Sequence, residues 1–427
     1  MARRTLVLGA GMVGVSIAWH LAKRGREVVL IDRREPGRET SFGNAGIIQR
    51  EAVRPYAFPR DMKTLLGVLP NQRVDIRYRP AGMLHAATPL LRYWHNSGPS
   101  GYRRIVPEYA ALIMRCLTTH APMIKAAGAE ALIRHDGFLE LFRTQQRLDK
   151  RLAEAEDNRR RFDVRFQVLD REALTAKEPA LSHDVIGAIH WLDPWTVTDP
   201  GALVAAYARA FEAEGGECRQ GDITEVTQTQ GGWRVTTTEE TLEADDVVMA
   251  LGPWAGRWLK PLGYHFPTFV KRGYHMHYAH RDQDAHQDST RGAAAEKPRL
   301  NSWVMDAEVG YLLAPMDAGV RLTTGAELDD LDAPAHVSQL AAAEKVARSL
   351  VPLGPRRDEE VWKGARPCLP DMKPVIGPAP RHQGLWLAFG HGHQGFTLGP
   401  ATGELLAGMM DGEPTAIDMS PYRADRF

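Results

Sequence analysis

The chain has 427 residues, 44% of them hydrophobic and 25% charged, with 53 basic side chains balancing 53 acidic ones. That length supplies core for two or three domains, and the neutral balance leaves no global field to attract nucleic acid or anionic lipid. Three widely spaced cysteines, Cys116, Cys218 and Cys368, make no CxxC or metal-ligand spacing, so reduced thiols, no metal site and a cytoplasmic location are expected.

The first predicted element is Thr5-Leu6-Val7-Leu8, a short β-branched and apolar strand that runs into Gly9-Ala10-Gly11-Met12-Val13-Gly14. A helix follows, with Val13, Ile17 and Leu21 on one face, and then a second apolar strand at 28–31 ends in Asp32. Strand, Gly-x-Gly-x-x-Gly, helix, strand, acid is the order a dinucleotide site requires. Gly9 allows the tight turn, Gly11 lets a pyrophosphate approach the backbone, and Gly14 lets the helix sit close to the strand. The helix N-terminus offers free N–H groups to the anion. Arg3-Arg4 before this run also admits an export-signal or membrane reading. The glycines, the interruptions at Ser16, Trp19 and His20, and the lack of a cleavage site before Lys23-Arg24 speak for a buried unit of an unexported protein.

Beyond Asp32, a loop at Arg33-Arg34 leads to Thr40-Ser41-Phe42-Gly43-Asn44-Ala45-Gly46-Ile47, small and polar enough to pass close to a flat ligand. Residues 55–104 are rich in Pro, Arg and Tyr without periodicity, and 106–128 and 143–157 read as helices. Asp199-Pro200 form an N-cap and N1 pair for a helix that Gly215-Gly216 stop. Residues 233–237 alternate as a half-buried strand, and 247–251 form a buried strand expected to rejoin the nucleotide sheet. Segments 310–314 and 319–324 should pair as a hairpin, while the polar stretch 279–299 reads as an exposed loop, a lid or an insertion. Finally, Leu385-Trp386-Leu387-Ala388-Phe389, the turn Gly390-His391-Gly392-His393-Gln394-Gly395 and a helix at 400–410 repeat the opening theme. A second glycine turn exceeds what an NAD enzyme needs. It suits a flavin, whose N1–C2=O edge turns negative on reduction and is stabilised by a positive helix end.

These residues carry a resemblance to the FAD-dependent D-amino acid dehydrogenase family, within the D-amino acid oxidase and glycine oxidase superfamily. The similarity runs nearly end to end, through Thr40 to Gly46, Gly137-Phe138-Leu139-Glu140-Leu141-Phe142-Arg143-Thr144-Gln145-Gln146, Glu178-Pro179-Ala180-Leu181, Gly364-Ala365-Arg366-Pro367 with Pro370-Asp371, and Gly390-His391-Gly392. The resemblance implies an α/β fold with two domains, discontinuous in sequence. A Rossmann-like FAD-binding domain is expected at 1–54, 196–262 and 358–427, and an antiparallel-sheet substrate domain at 55–195 and 263–357.

It further implies hydride transfer from a D-amino acid to flavin N5, hydrolysis of the imino acid to a 2-oxo acid and ammonia, and electrons passed to a quinone or other carrier. Peripheral membrane association stays open. The implied substrate ligands are Arg366, Tyr311, Arg272, Tyr274 and His393, with Arg366 as the carboxylate fork. The implied FAD contacts are Gly9, Gly11, Met12, Val13, Gly14, Asp32, Arg33, Ser41, Asn44, Ala45, Gly46 and Ile47. Val226, Ala250, Gly252, Trp254, Gly364, Arg366, Gly392, His393, Gln394, Gly395, Phe396 and Thr397 complete them. Leu369, where relatives carry Ser or Thr, and the segment Pro194 to Thr198 depart from the pattern. They keep two alternatives open: a secondary-amine enzyme acting on D-hydroxyproline, sarcosine or an opine, and a non-catalytic flavin-binding subunit. Cys368 lies too close to Pro370-Asp371 for a flavin thioether, so the FAD is expected to be non-covalent.

Overall fold

A computed structural model describes residues 3–182, 184–280 and 299–427. At its centre is a six-stranded sheet in the order Glu217–Gln220, Glu27–Asp32, Arg4–Leu8, Asp246–Met249, Leu385–Phe389, Val375–Pro378. The first five strands are parallel, and only the last is antiparallel. Both faces of the central strands are covered, which is why they are continuous apolar runs rather than alternating ones. The chain steps outward from Arg4–Leu8 in one direction and then restarts on its other side, so a topological switch point lies between Leu8 and Met249. Open sheets of this kind bind ligands at that point, beyond the carboxyl ends of the strands.

The helix Met12–Ala22 and the last long helix, Gly395–Met410, pack against each other on one face of this sheet. A Cβ at Gly399 would lie 2.6 Å from Met12 Cγ, and one at Gly403 2.6 Å from the Ser16 carbonyl oxygen. Bare backbone at these two positions, one helical turn apart, brings two helices from opposite ends of the sequence together with their N-termini converging. The helix Pro200–Ala213 joins the same core, its N-terminus capped by Asp199, which accepts from the Ala202 N–H at 2.9 Å. The region expected as one helix at 106–128 is two, Pro99–Ile113 and Cys116–Ala126, broken at Met114 and Arg115. Tyr109, Ile113, Cys116 and Met123 pack into the core shared with the two converging helices.

The second layer is a large, mainly antiparallel sheet centred on Phe269–His280. The expected hairpin is present as Tyr311–Met316 and Gly319–Thr323. Trp362–Cys368 pairs with Phe269–His280 in full register, from Phe269 opposite Cys368 to His275 opposite Trp362. That strand therefore belongs to the second sheet, although the expected division at 358 gave it to the nucleotide domain. The helices of 99–126, expected on the substrate side, pack instead on the nucleotide side. The expected loop at 279–299 lies almost wholly outside the described residues. Among the described residues no helix is long and apolar enough to cross a membrane.

Candidate active site

A cavity of about 1280 Å³ runs between the two sheets, from the carboxyl ends of the parallel strands to the face of the antiparallel sheet. At the switch point Gly9 has φ +107°, and a Cβ there would lie 2.5 Å from the Ala250 carbonyl oxygen. A Cβ on Gly14 would lie 1.7 Å from the Gly9 carbonyl oxygen. Gly14 thus sets the distance between helix and strand and does not itself line the cavity. Gly11 does, together with Met12 and Val13 at the helix N-terminus. The Met12 N–H donates to Ser41 Oγ at 3.0 Å. Asp32 accepts from the Ala10 and Arg34 N–H groups at 2.7 and 3.1 Å, which fixes the turn. Burial raises its carboxyl above the usual range.

Arg33 donates to Glu39 at 2.8 Å and lies 4.5 Å over the Trp254 ring, so it closes this end of the cavity as a flat lid. Arg34 also pairs with Glu39. The two arginines beside the acid thus share one carboxylate, which offsets one of their two charges. Ala250, Gly252 and Trp254 complete this end.

The 40–47 segment crosses the middle. Asn44 Oδ1 accepts from the Gly46 N–H at 2.8 Å, and Arg321 Nη1 donates to the Phe42 and Asn44 carbonyls at 3.0 and 2.6 Å. Arg321 Nε donates to His277 Nε2, and His277 Nδ1 pairs with Asp358. This buried chain pins the loop to the antiparallel sheet. Ser41, Asn44, Ala45 and Ile47 line the cavity, and Gly46 sits behind them. At the far end Gly364, Gly392, His393, Gly395 and Phe396 are lining residues. Gln394 and Thr397 are buried behind this turn. Gln394 Nε2 donates to Gln49 Oε1 at 2.9 Å, and Thr397 Oγ1 accepts from the Gln49 N–H at 3.2 Å. Val226 is a correction. It packs with Trp233 and Val235 in the core under a three-stranded meander, and Asp222 and Ile223 of the same segment reach the cavity instead.

The antiparallel sheet decides the substrate side, because side chains alternate between its faces. Lys271 and Gly273 line the cavity, so Arg272 and Tyr274 point the other way. Arg272 is fully buried behind the sheet, 2.7 Å from Glu327 and 3.0 Å from Asp329, and the Tyr274 hydroxyl bonds to the same Glu327. Neither is available as a substrate ligand. Tyr311 borders the cavity, but its ring belongs to the core on that same rear face, with Tyr274, Met276 and Leu313. It is paired in register with Asp306.

Arg366 is on the cavity side of its strand. It lines the cavity, donates to the Gly325 and Thr324 carbonyls at 2.8 and 3.3 Å, and has no acidic partner among the described residues. A Cβ at Gly273 would lie 2.4 Å from its Nη2, so the missing side chain there is the slot that the guanidinium occupies. Directly across the strand pair stands Lys271. Its ammonium lies 3.2 Å from the Tyr93 hydroxyl and faces the Tyr93 and Phe269 rings, also without an acid. His393 lies 4.9 Å from the Tyr56 ring. Burial and the neighbouring Arg366 and Lys271 push its pKa down to about 3. It is neutral at physiological pH and adds no third charge.

The sequence profile of the DAO family, FAD dependent oxidoreductase, matches residues 4–409. The chain belongs to this family. A D-amino acid dehydrogenase of Cereibacter sphaeroides is 31% identical over 99% of this chain and 95% of its own. One of Chromohalobacter salexigens is 29% identical over 99% and 100%. Among solved structures, glycine oxidase from Geobacillus kaustophilus superposes with a TM-score of 0.71 at 22% identity, over the full length of both chains. L-proline dehydrogenase from P. horikoshii gives 0.71 at 19% identity, over 100% and 98%. These two establish the fold.

This FAD-dependent oxidoreductase has a cavity that fits its cofactor. Gly11 leaves bare backbone at the N-terminus of one helix, where the pyrophosphate needs N–H donors. Asp32, a desolvated acceptor, would take a ribose diol, and the turn from Gly392 to Phe396, at the second helix N-terminus, would hold the flavin ring. The residues the sequence reading missed are Lys271, Tyr56, Tyr93, Trp362 and Glu51. For Lys271 a signal existed: alternation along Lys271-Arg272-Gly273-Tyr274 puts either the odd or the even pair beside Arg366, and only the odd pair contains the glycine that makes room. Trp362, whose ring fills the space over Gly43 and Gly364, left no such mark.

Proposed function

We propose that this enzyme dehydrogenates D-amino acids, with Arg366 and Lys271 holding the α-carboxylate. One observation carries the reading. Two cations stand directly opposite each other in a partly buried cross-strand pair with no acid between them, an arrangement that costs stability by itself. A carboxylate bound between them removes that cost. Arg366 has five N–H donors, of which two go to carbonyls that fix its plane, leaving donors for the ligand. The bound FAD supplies an acceptor for the hydride of Cα. The chain orients that hydrogen by fixing the carboxylate, with Tyr56 and Tyr93 on the adjoining wall of the cavity. The resulting imino acid takes up water to give the 2-oxo acid and ammonia.

Electrons leave to a quinone or another carrier, and the reading includes a membrane surface as the place of transfer. Of eleven large hydrophobic side chains exposed among the described residues, seven fall between Tyr56 and Trp94. The helix Met62–Val68 in this segment buries none of its residues. The same stretch holds six basic residues against two acidic ones, and its Leu65, Val68 and Leu69 form the cavity rim. An apolar rim with a local positive excess matches an anionic lipid surface.

The test is anaerobic mixing of the FAD-loaded protein with a panel of D-amino acids, their L-enantiomers and N-alkyl amino acids. Loss of the flavin's visible colour with D-amino acids, accompanied by ammonia release, is expected. Bleaching only by secondary amines, without ammonia, makes it a secondary-amine enzyme, and no bleaching by any of them removes the catalytic reading.

A further inference from the structure

The same cavity holds a carboxyl group that the scheme above does not use. Glu51 follows the strand Ile47–Ile48 and is a lining residue, 97% buried by its 3% exposure. Its Oε1 accepts from Gln49 Nε2 at 3.1 Å, and its Oε2 has no hydrogen-bond partner. Glu140, another buried lining carboxylate, contrasts with it. Both Glu140 oxygens bond to Arg151 Nε at 2.9–3.1 Å, and one also takes the Trp191 indole N–H at 2.9 Å. A satisfied ion pair therefore stands beside an unsatisfied acid. A buried carboxyl oxygen without a donor is costly unless a ligand supplies one. Gln49 in turn accepts from Gln394, which pairs with His393 at 3.0 Å, so hydrogen bonds join Glu51 to the wall beside Tyr56 and Arg366.

Resting on the amino acid reading above, we infer that Glu51 receives the substrate's α-ammonium and takes one proton from it. The chemistry demands such a group. An amino acid arrives with three protons on nitrogen, and Cα–H cannot leave as hydride until a nitrogen lone pair is free to form the C=N bond. The proton passes from nitrogen to Glu51 Oε2, giving a neutral amine and a carboxylic acid. The C–H pair then leaves for the flavin, the nitrogen lone pair closes the C=N bond, and the acid later returns its proton to water.

The titratable and charged groups that act on or feel Glu51 are Arg151 and Glu140, Tyr56 on its own segment, and Tyr109 and Cys116 on the helices behind. Burial raises Glu51 to about 8. A cation docking beside it favours its ionised form, so ligand binding itself switches the base on.

The experiment compares wild type with Glu51→Gln and Glu51→Asp, after all three are shown to bind one FAD and to melt alike. In wild type the second-order rate of flavin reduction should rise through about pH 8. In Glu51→Gln it should fall about 100-fold and lose that limb, a size usual for a missing general base. Glu51→Asp should keep the limb, displaced. Independently of turnover, the ¹³C-carboxyl resonance of Glu51 should titrate near pH 8 in the FAD-free protein and shift downward with a D-amino acid, but not with the carboxylic acid lacking the amine. A Glu51→Gln profile within about threefold of wild type, or a loss confined to substrates with cationic side chains, overturns the inference. If wild type is reduced only by secondary amines, the D-amino acid reading fails, while the same variants still decide the role of Glu51 with those amines.

Discussion

Arg366 shows how one side chain can be held ready by the absence of another. The guanidinium fills the slot left by Gly273, and the Thr324 and Gly325 carbonyls fix its plane. Lysine in its place keeps the charge and loses the fork. A charge-assisted hydrogen bond is worth about 1.5–3 kcal/mol, so Arg366→Lys should lower kcat/KM for D-amino acids about 10- to 100-fold while the flavin spectrum stays unchanged. Steady-state kinetics on the FAD-loaded variant checks this. A fall below about threefold would move the carboxylate to Lys271 alone. Arg272, sealed behind the sheet with Glu327 and Asp329, is no longer an alternative.

At the scale of elements, the crossing of Met12–Ala22 with Gly395–Met410 sets the geometry of the cofactor site. Each helix aims its N-terminus at a different part of one ligand, so their relative position must be held tightly. Gly403 sits where a side chain would meet the Ser16 carbonyl oxygen at 2.6 Å. Gly403→Val adds volume with no void to receive it, and overpacking of this kind costs about 1–3 kcal/mol. We expect a lower melting temperature and a larger proportional loss of bound FAD, read as the ratio of flavin to protein absorbance. A variant that melts lower yet keeps full flavin content would show that the crossing serves stability only.

At the scale of the whole molecule, a chain of zero net charge carries in one segment a local excess of four positive charges and, among the described residues, most of the exposed large apolar side chains. That segment is also the rim of the cavity. Cosedimentation with vesicles containing an anionic lipid should therefore retain the protein, and the double change Leu66→Ser with Leu84→Ser, at two exposed positions off the cavity, should release it without altering flavin reduction by substrate. High salt should weaken the binding in part, since exposed charge is screened within about 8–10 Å. Equal recovery with neutral and anionic vesicles, or no effect of the leucine changes, would place the acceptor elsewhere.

The sequence alone determined what local chemistry can specify. The glycine turn with Asp32, the Asp199-Pro200 cap, the hairpin at Tyr311–Met316 and Gly319–Thr323, and the second glycine turn each depend on residues a few positions apart. Their backbone demands can be read directly. Arg366 was legible through a motif for the same reason. What tertiary structure decided is which face each strand turns inward. A shift of one residue along Phe269–His280 exchanges Lys271 with Arg272, and no local signal fixes that choice. It is settled by Gly273 against Arg366 on one face and by Glu327 and Asp329 waiting for Arg272 on the other. Glu51 was invisible because its importance lies in a bond that nothing in the folded chain supplies.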